Sequence, residues 1–160
     1  MDEMQRFLAS WARVRGNVAQ AAGDMPEEHY SCSVFPDTRT FHEQVQHILH
    51  NADVFVDCAL NGRFNLALFD LYPYQGLSKP ALLEALNANL RSQSEKLAAA
   101  SARIAGGSIK YLDGSDRRAI EILQGMKEHE IAHLNQMYFY LRGRGITPHS
   151  TRERMKQAGH

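Results

Sequence analysis

Apolar residues that return every three or four positions, in four separate stretches, restrict this chain to an all-α, four-helix bundle. In the first stretch, Met4, Phe7, Leu8, Trp11, Val14, Val18 and Ala22 form one stripe, which predicts a helix from about Asp2 to Ala22, closed by Gly23-Asp24-Met25-Pro26. A second helix is expected from Thr40, where Thr40-Phe41-His42-Glu43 has the pattern of a capping box, to Asn61-Gly62, a left-handed stop. The third begins after Ser78, with Pro80 in its first turn. It carries Leu83, Leu86, Leu90, Leu97, Ala100 and Ile104 on its inner side and closes at Gly106-Gly107. The fourth runs from about Ser115 to Arg142, with Gly143, Gly145 and Pro148 as stop signals. Two-residue hairpin signals are missing, so little or no sheet is expected.

The joints are as informative as the helices. Residues 63–77 contain Pro73 and Gly76 but also Phe64, Leu66, Leu68, Phe69, Leu71, Tyr72 and Tyr74, too apolar for a free linker. This long connection between the second and third helices is expected to pack against the bundle or a second subunit, and its length permits a crossover. Residues 1–148 then make a single helical domain, and the polar stretch 149–160 is expected to fray as a tail.

Composition argues against several functions. Lysine plus arginine equals aspartate plus glutamate at 18 each, so no net field exists to recruit nucleic acid, and no nucleic-acid partner is expected. No stretch approaches the ~20 apolar residues of a membrane span, and the opening Met1-Asp2-Glu3-Met4 lacks the basic and apolar character of a secretory signal. Cys32 and Cys58 form neither a metal-spaced pair nor a disulfide framework. A cytoplasmic protein with reduced thiols is the expectation.

The histidines sort by helix face. His29, His149 and His160 fall outside the helices and His42 lies in a first turn, all ordinary surface positions. On the second helix, Phe41, Val45, Ile48, Ala52, Phe55 and Ala59 make the core arc. Glu43, Gln46, His50, Asp53, Asp57 and Asn61 make the opposite, wholly polar arc, which puts His50 toward water. His47 belongs to a flanking stripe with Asn51, Val54 and Cys58, suited to a semi-buried cavity.

His129 and His133 give the stronger signal. Four residues apart, their rings lie on one face one turn apart, beside Ile122, Met126, Met137 and Tyr140. Burial of two imidazoles is costly without partners. The partners are either a shared metal ion or separate hydrogen bonds, and the spacing alone leaves both open.

His129-Glu130-Ile131-Ala132-His133 also matches H-E-x-x-H, the helix of zinc metalloproteases, with Glu130 as general base. No glycine and histidine follow at the extended spacing, and Glu153, twenty residues on, sits in the polar tail. A protease also needs an edge strand to align a peptide. Glu130 points near the core arc instead, where it suits an acceptor for a ligand N–H or a proton carrier.

These residues carry a resemblance. Met25-Pro26-Glu27-Glu28-His29-Tyr30, followed through Pro36 by Arg39-Thr40-Phe41-His42-Glu43-Gln44-Val45-Gln46-His47-Ile48, resembles the entry to the second helix in the DinB/YfiT-like superfamily of small bacterial four-helix bundles. His129 to Met137, then Tyr140-Leu141-Arg142-Gly143 and Gly145-Ile146-Thr147-Pro148, is similar to that family's ending, with Asn135 where many members carry glycine. The resemblance implies a divalent metal held by His47, His129 and His133, with Glu130, Asn51 and Tyr140 as candidates to support the ligands. It also implies a homodimer acting on a small-molecule substrate. Three neutral imidazoles leave coordination positions open, as in catalytic sites. Imidazole ligands alone do not choose among zinc, nickel, iron and manganese, and the expectation is zinc or nickel first, with iron or manganese next.

The activity this implies is a metal-dependent thiol S-transferase using a low-molecular-weight thiol such as bacillithiol or mycothiol. A hydrolase using metal-bound water, and a non-catalytic stress-associated bundle with a structural metal, are the alternatives.

Overall fold

The computed structural model describes residues 2–159. Helix α1 (Glu3–Asp24) starts at a capping box in which Asp2 accepts from the Gln5 backbone N–H. A short 3-10 turn (Glu27–His29) leads to α2 (Phe41–Asn61), where Thr40 caps the Glu43 backbone and Gly62, at φ 74°, takes the left-handed stop. A second 3-10 turn (Leu66–Asp70) interrupts the long connection. Helix α3 (Lys79–Ala99) follows, then the short α4 (Ser101–Ala105), strands β1 (Ser108–Lys110) and β2 (Asp116–Arg118), α5 (Ala119–Gly143) and α6 (His149–Gln157). Among the described residues the protein is all-α apart from one two-stranded hairpin.

Helices α1, α2, α3 and α5 form the bundle. Both α1 and α2 pack against α3 and α5, which puts α1 diagonal to α2 and α3 diagonal to α5. Two core clusters mark the ends. One holds Ala21, Ala22 and Met25 from the end of α1, Phe41 and Val45 from the start of α2, Leu82 and Leu86 from the start of α3, and Met137 to Leu141 of α5. The other holds Met4 to Trp11, Ala52 to Ala59, Leu97, and Ile120 to Met126. The helices therefore run up, down, down and up, with α2 parallel to its neighbour α3. A parallel pair cannot be joined by a short turn, so the connection must travel the length of the bundle to reach the start of α3.

It does so along α2. His42 Nε2 bonds the Leu77 carbonyl, Gln46 Nε2 the Tyr74 carbonyl and His50 Nε2 the Leu68 carbonyl, each at 2.7 Å. These residues stand four apart and share one face. The arc expected to face water instead carries the returning chain, and His50 is half-buried rather than solvated. Asp53, on the same arc, accepts from Tyr74 Oη at 2.6 Å, Asn89 Nδ2 at 2.7 Å and Gln93 Nε2 at 2.5 Å. A solvent-facing arc and an arc covered by polar backbone have the same composition, because both must satisfy hydrogen bonds.

Three further expectations are corrected. Helix three breaks at Ala100, where a turn separates α3 from α4. The fourth bundle helix starts at Ala119 rather than Ser115, because Asp116–Arg118 pairs antiparallel with Ser108–Lys110. Residues 149–157 do not fray. They form α6, held to α1 by Arg152 Nη2, which reaches Asp24 Oδ1 at 2.8 Å, and by the His149 N–H, which reaches Asp24 Oδ2 at 3.2 Å. No helix among the described residues is long and apolar enough to cross a membrane.

Candidate metal centre

His47 comes from α2, and His129 and His133 from α5, where the two helices face each other midway along the bundle. One turn of α5 separates His129 from His133, and the flanking stripe of α2 delivers His47 between them. Ring centroids lie 5.1 Å apart for His47 and His129, 4.6 Å for His47 and His133, and 4.4 Å for His129 and His133. One nitrogen from each ring falls within 4.8 Å of the other two. His129 Nε2 and His133 Nε2 are 3.1 Å apart.

Hydrogen bonds fix the state of His133. Its Nδ1 lies 2.7 Å from Gln44 Oε1 and 2.9 Å from Gln136 Oε1, two acceptors, so Nδ1 carries the proton and donates. In the neutral ring this leaves a lone pair on Nε2, aimed at the cluster and 3.1 Å from His129 Nε2. His129 Nδ1 is buried with no hydrogen-bond partner in the protein. One nitrogen from each of three rings converging within 4.8 Å is the donor set that a shared ion takes.

All three rings are held neutral. His47 is pushed down to about 3, first by burial, then by the Arg39 guanidinium and by His133, His129 and His50. His133 is pushed down to about 4 by burial, with His129 and Arg39 adding to the shift. His129 is lowered by burial and Arg39, against the opposing pull of Glu130. Neutral imidazole is the form that ligates a metal.

Two cavities flank the cluster. A cleft of about 560 Å³ opens onto His47 between the start of α2, with Arg39 and Glu43, and the segment Tyr72 to Gln75 of the connection. A smaller cavity of about 290 Å³ is lined by His129 and Asn51, with Phe55, Tyr111 and Ile122.

None of the residues expected to support the ligands hydrogen-bonds to one of the three histidines among the described residues. Glu130 is 3% exposed and turned toward α1: Oε1 accepts from Arg15 Nε at 2.7 Å, and Oε2 accepts from Arg15 Nη2 at 3.0 Å and Trp11 Nε1 at 2.9 Å. Successive residues of a helix differ by ~100°, so a residue next to His129 faces a different neighbour. Among the described residues Glu130 accepts no hydrogen bond from His47, His129 or His133. Tyr140 donates its hydroxyl to the Arg39 carbonyl and packs edge-on against Phe41, remote from any hydrogen bond to the rings. Asn51 lines the smaller cavity without a hydrogen bond to a histidine.

Gln44, Gln136, Arg15 and Arg39 were not singled out from sequence. Each left a signal. Gln44 interrupts the core arc between Phe41 and Ile48, Gln136 follows His133 by three positions on the same face, and Arg15 interrupts the α1 stripe between Trp11 and Val18. A polar residue on an apolar stripe needs a buried partner, and Gln44 and Arg15 each have one, while Gln136 is exposed and meets His133 from the rim. Arg39, in a loop, offered no such pattern.

The fold and site together define a helical bundle with an inward-facing cluster of three neutral imidazoles, a group that could hold a metal ion. The DinB family profile matches residues 1–159, and the chain belongs to the DinB family. The crystal structure of a DinB-like protein from Bacillus subtilis has the same fold, with a TM-score of 0.74 at 19% identity over 89% of this chain and 94% of that one. No curated protein matches the chain.

Proposed function

We propose that this protein is a divalent-metal-dependent enzyme, a thiol S-transferase in type, with His47, His129 and His133 as the ligands. The carrying observation is that three imidazole nitrogens from two helices fall within 4.8 Å of one another at the edge of an open cleft. A divalent ion there supplies a Lewis acid that makes a thiol or water nucleophilic near neutral pH. Imidazole donors favour zinc or nickel, with iron or manganese next.

The chain's own residues supply the rest. Gln44 and Gln136 hold His133 in the ligating tautomer, and the neutral rings spare the ion competition from protons. The cleft admits a low-molecular-weight thiol and a small electrophile. Free Cys32 and Cys58, with no disulfide among the described residues, accord with a reducing cytoplasm. A homodimer is part of the same proposal, supported by Leu66, Phe69 and Leu71, which the connection leaves exposed outside the cleft. Sedimentation at micromolar concentration tests it, and a monomer there removes it.

The activity test uses untagged protein loaded in turn with zinc, nickel, iron or manganese and offered a panel of thiols with electrophiles. Turnover that needs both metal and thiol is expected. Turnover of esters or amides without thiol identifies a hydrolase instead, and inactivity with every pair ends the enzymatic reading.

A further inference from the structure

The cleft beside His47 has one wall from Asp37 to His47 and another from Tyr72, Pro73, Tyr74 and Gln75. Three charged side chains line it: Asp37, Arg39 and Glu43. Glu43 is engaged by its own helix cap, with Oε2 accepting from the Thr40 N–H at 2.7 Å and from Thr40 Oγ1 at 3.0 Å. Arg39 differs. Its guanidinium makes no hydrogen bond or salt bridge among the described residues. It is also the one charged group of the cleft whose field is felt at all three histidines.

The backbone beneath Arg39 is nevertheless fixed. Tyr140 of α5 donates its hydroxyl to the Arg39 carbonyl, and Thr40, the next residue, caps α2. A cation with no hydrogen-bonded partner among the described residues, its field shared with Glu43, is thus displayed from an anchored backbone next to the histidine cluster. Tyr72, in the same lining, is 69% exposed and offers an aromatic surface.

We propose that Arg39 determines the specificity of this cleft by selecting small molecules that carry an oxyanion, either a carboxylate or a phosphate. The guanidinium fork takes the oxyanion, Tyr72 and Pro73 take the adjoining apolar or aromatic part, and the remainder of the molecule reaches toward His47. Guanidinium is suited to this because its planar donors match two oxygens at once. The proposal rests on the metal-dependent reading only for which end of the molecule reacts. Binding of the anionic end does not require the metal.

The test compares benzoate and phenyl phosphate with neutral benzamide, each titrated into the full ¹⁵N-labelled chain, metal-free and zinc-loaded. The readouts are the Arg39 Nε–H signal and the amides of Thr38 and Gln75. In the metal-free protein at least one anion is expected to bind about tenfold more tightly than benzamide, the gain of a charge-assisted hydrogen bond at a partly solvated site. The stronger of the two identifies carboxylate or phosphate as the preferred group. Arg39→Gln should reduce anion binding to the benzamide level without changing benzamide itself, and Arg39→Lys should keep part of the preference.

Equal binding of the anions and benzamide, no saturable shift with either anion, or a preference that survives Arg39→Gln overturns the proposal. A chain that takes up no zinc yet keeps the preference removes the metal reading and leaves Arg39 standing. Stoichiometric zinc with no anion preference does the reverse.

Discussion

Gln44 Oε1 lies 2.7 Å from His133 Nδ1, a contact that joins the first turns of α2 to the middle of α5 and leaves the opposite ring nitrogen as a lone pair. Partners of this kind orient ligands and raise their basicity, and their loss typically weakens metal binding by about 10–100-fold. Gln44→Leu keeps the volume and removes the acceptor. It should weaken zinc binding by that factor in competition with a chelating dye, with the helical signal unchanged. The residual contact from Gln136 keeps the effect below total loss.

Replacement of His129 by Ala should abolish stoichiometric metal, measured by elemental analysis of untagged protein. Any metal-dependent turnover should vanish with it. Chelation of the wild type should lower the melting temperature, because an ion that binds only the folded chain stabilises it by mass action. If chelation lowers the melting point while His129→Ala leaves every activity intact, the ion is a structural clamp and the enzymatic proposal falls.

Acid should destabilise the metal-free protein. His47 and His133 titrate near 3 and 4 when folded, against 6.5 for an unperturbed ring. Between those values the unfolded chain binds protons that the folded chain refuses. The stability these groups contribute is therefore complete above pH 6.5 and is lost as pH falls toward 4 and then 3. Denaturant midpoints measured from pH 8 to pH 4 should decline below 6.5, and the double variant His47→Gln with His133→Gln should flatten that decline.

Arg15 and Glu130 form an ion pair with side chains 1% and 3% exposed. Removal of one partner leaves a buried charge unmatched, which costs about 3–5 kcal/mol. Arg15→Met and Glu130→Gln should each lower stability on that scale by chemical denaturation. Combining Arg15→Met with Glu130→Leu should recover most of the loss. Glu130→Gln should leave zinc stoichiometry unchanged, since its carboxylate faces α1. Loss of zinc on that substitution would put Glu130 back among the groups that support the ligands.

The bundle was legible because burial imposes period. The α1 stripe, the Thr40 cap and the Gly62 stop all stand where the spacing put them, and the i, i+4 pair His129 and His133 needed only the helix repeat to be set on one face. The partners of that face were harder. Polar arcs carry no label distinguishing water from a covering chain, so His50 and Asp53 were read as solvated. A helix wheel ranks faces without saying which neighbour each one meets, so Glu130 was assigned to the histidines rather than to Arg15 and Trp11. Three-residue strands such as Ser108–Lys110 are too short to show alternation, and α6 depends on Asp24, 125 positions before His149.

Because α2 and α3 run parallel, residues 62–78 form an outer rail whose ends are fixed by helix length but whose middle is not. That rail supplies Tyr72 to Gln75, the far side of the cleft, while the imidazoles of the cluster sit on α2 and α5. Reactivity and selectivity are thus written on different lengths of polypeptide. Exchange of the rail between relatives offers a route to new substrates with the imidazole cluster left in register.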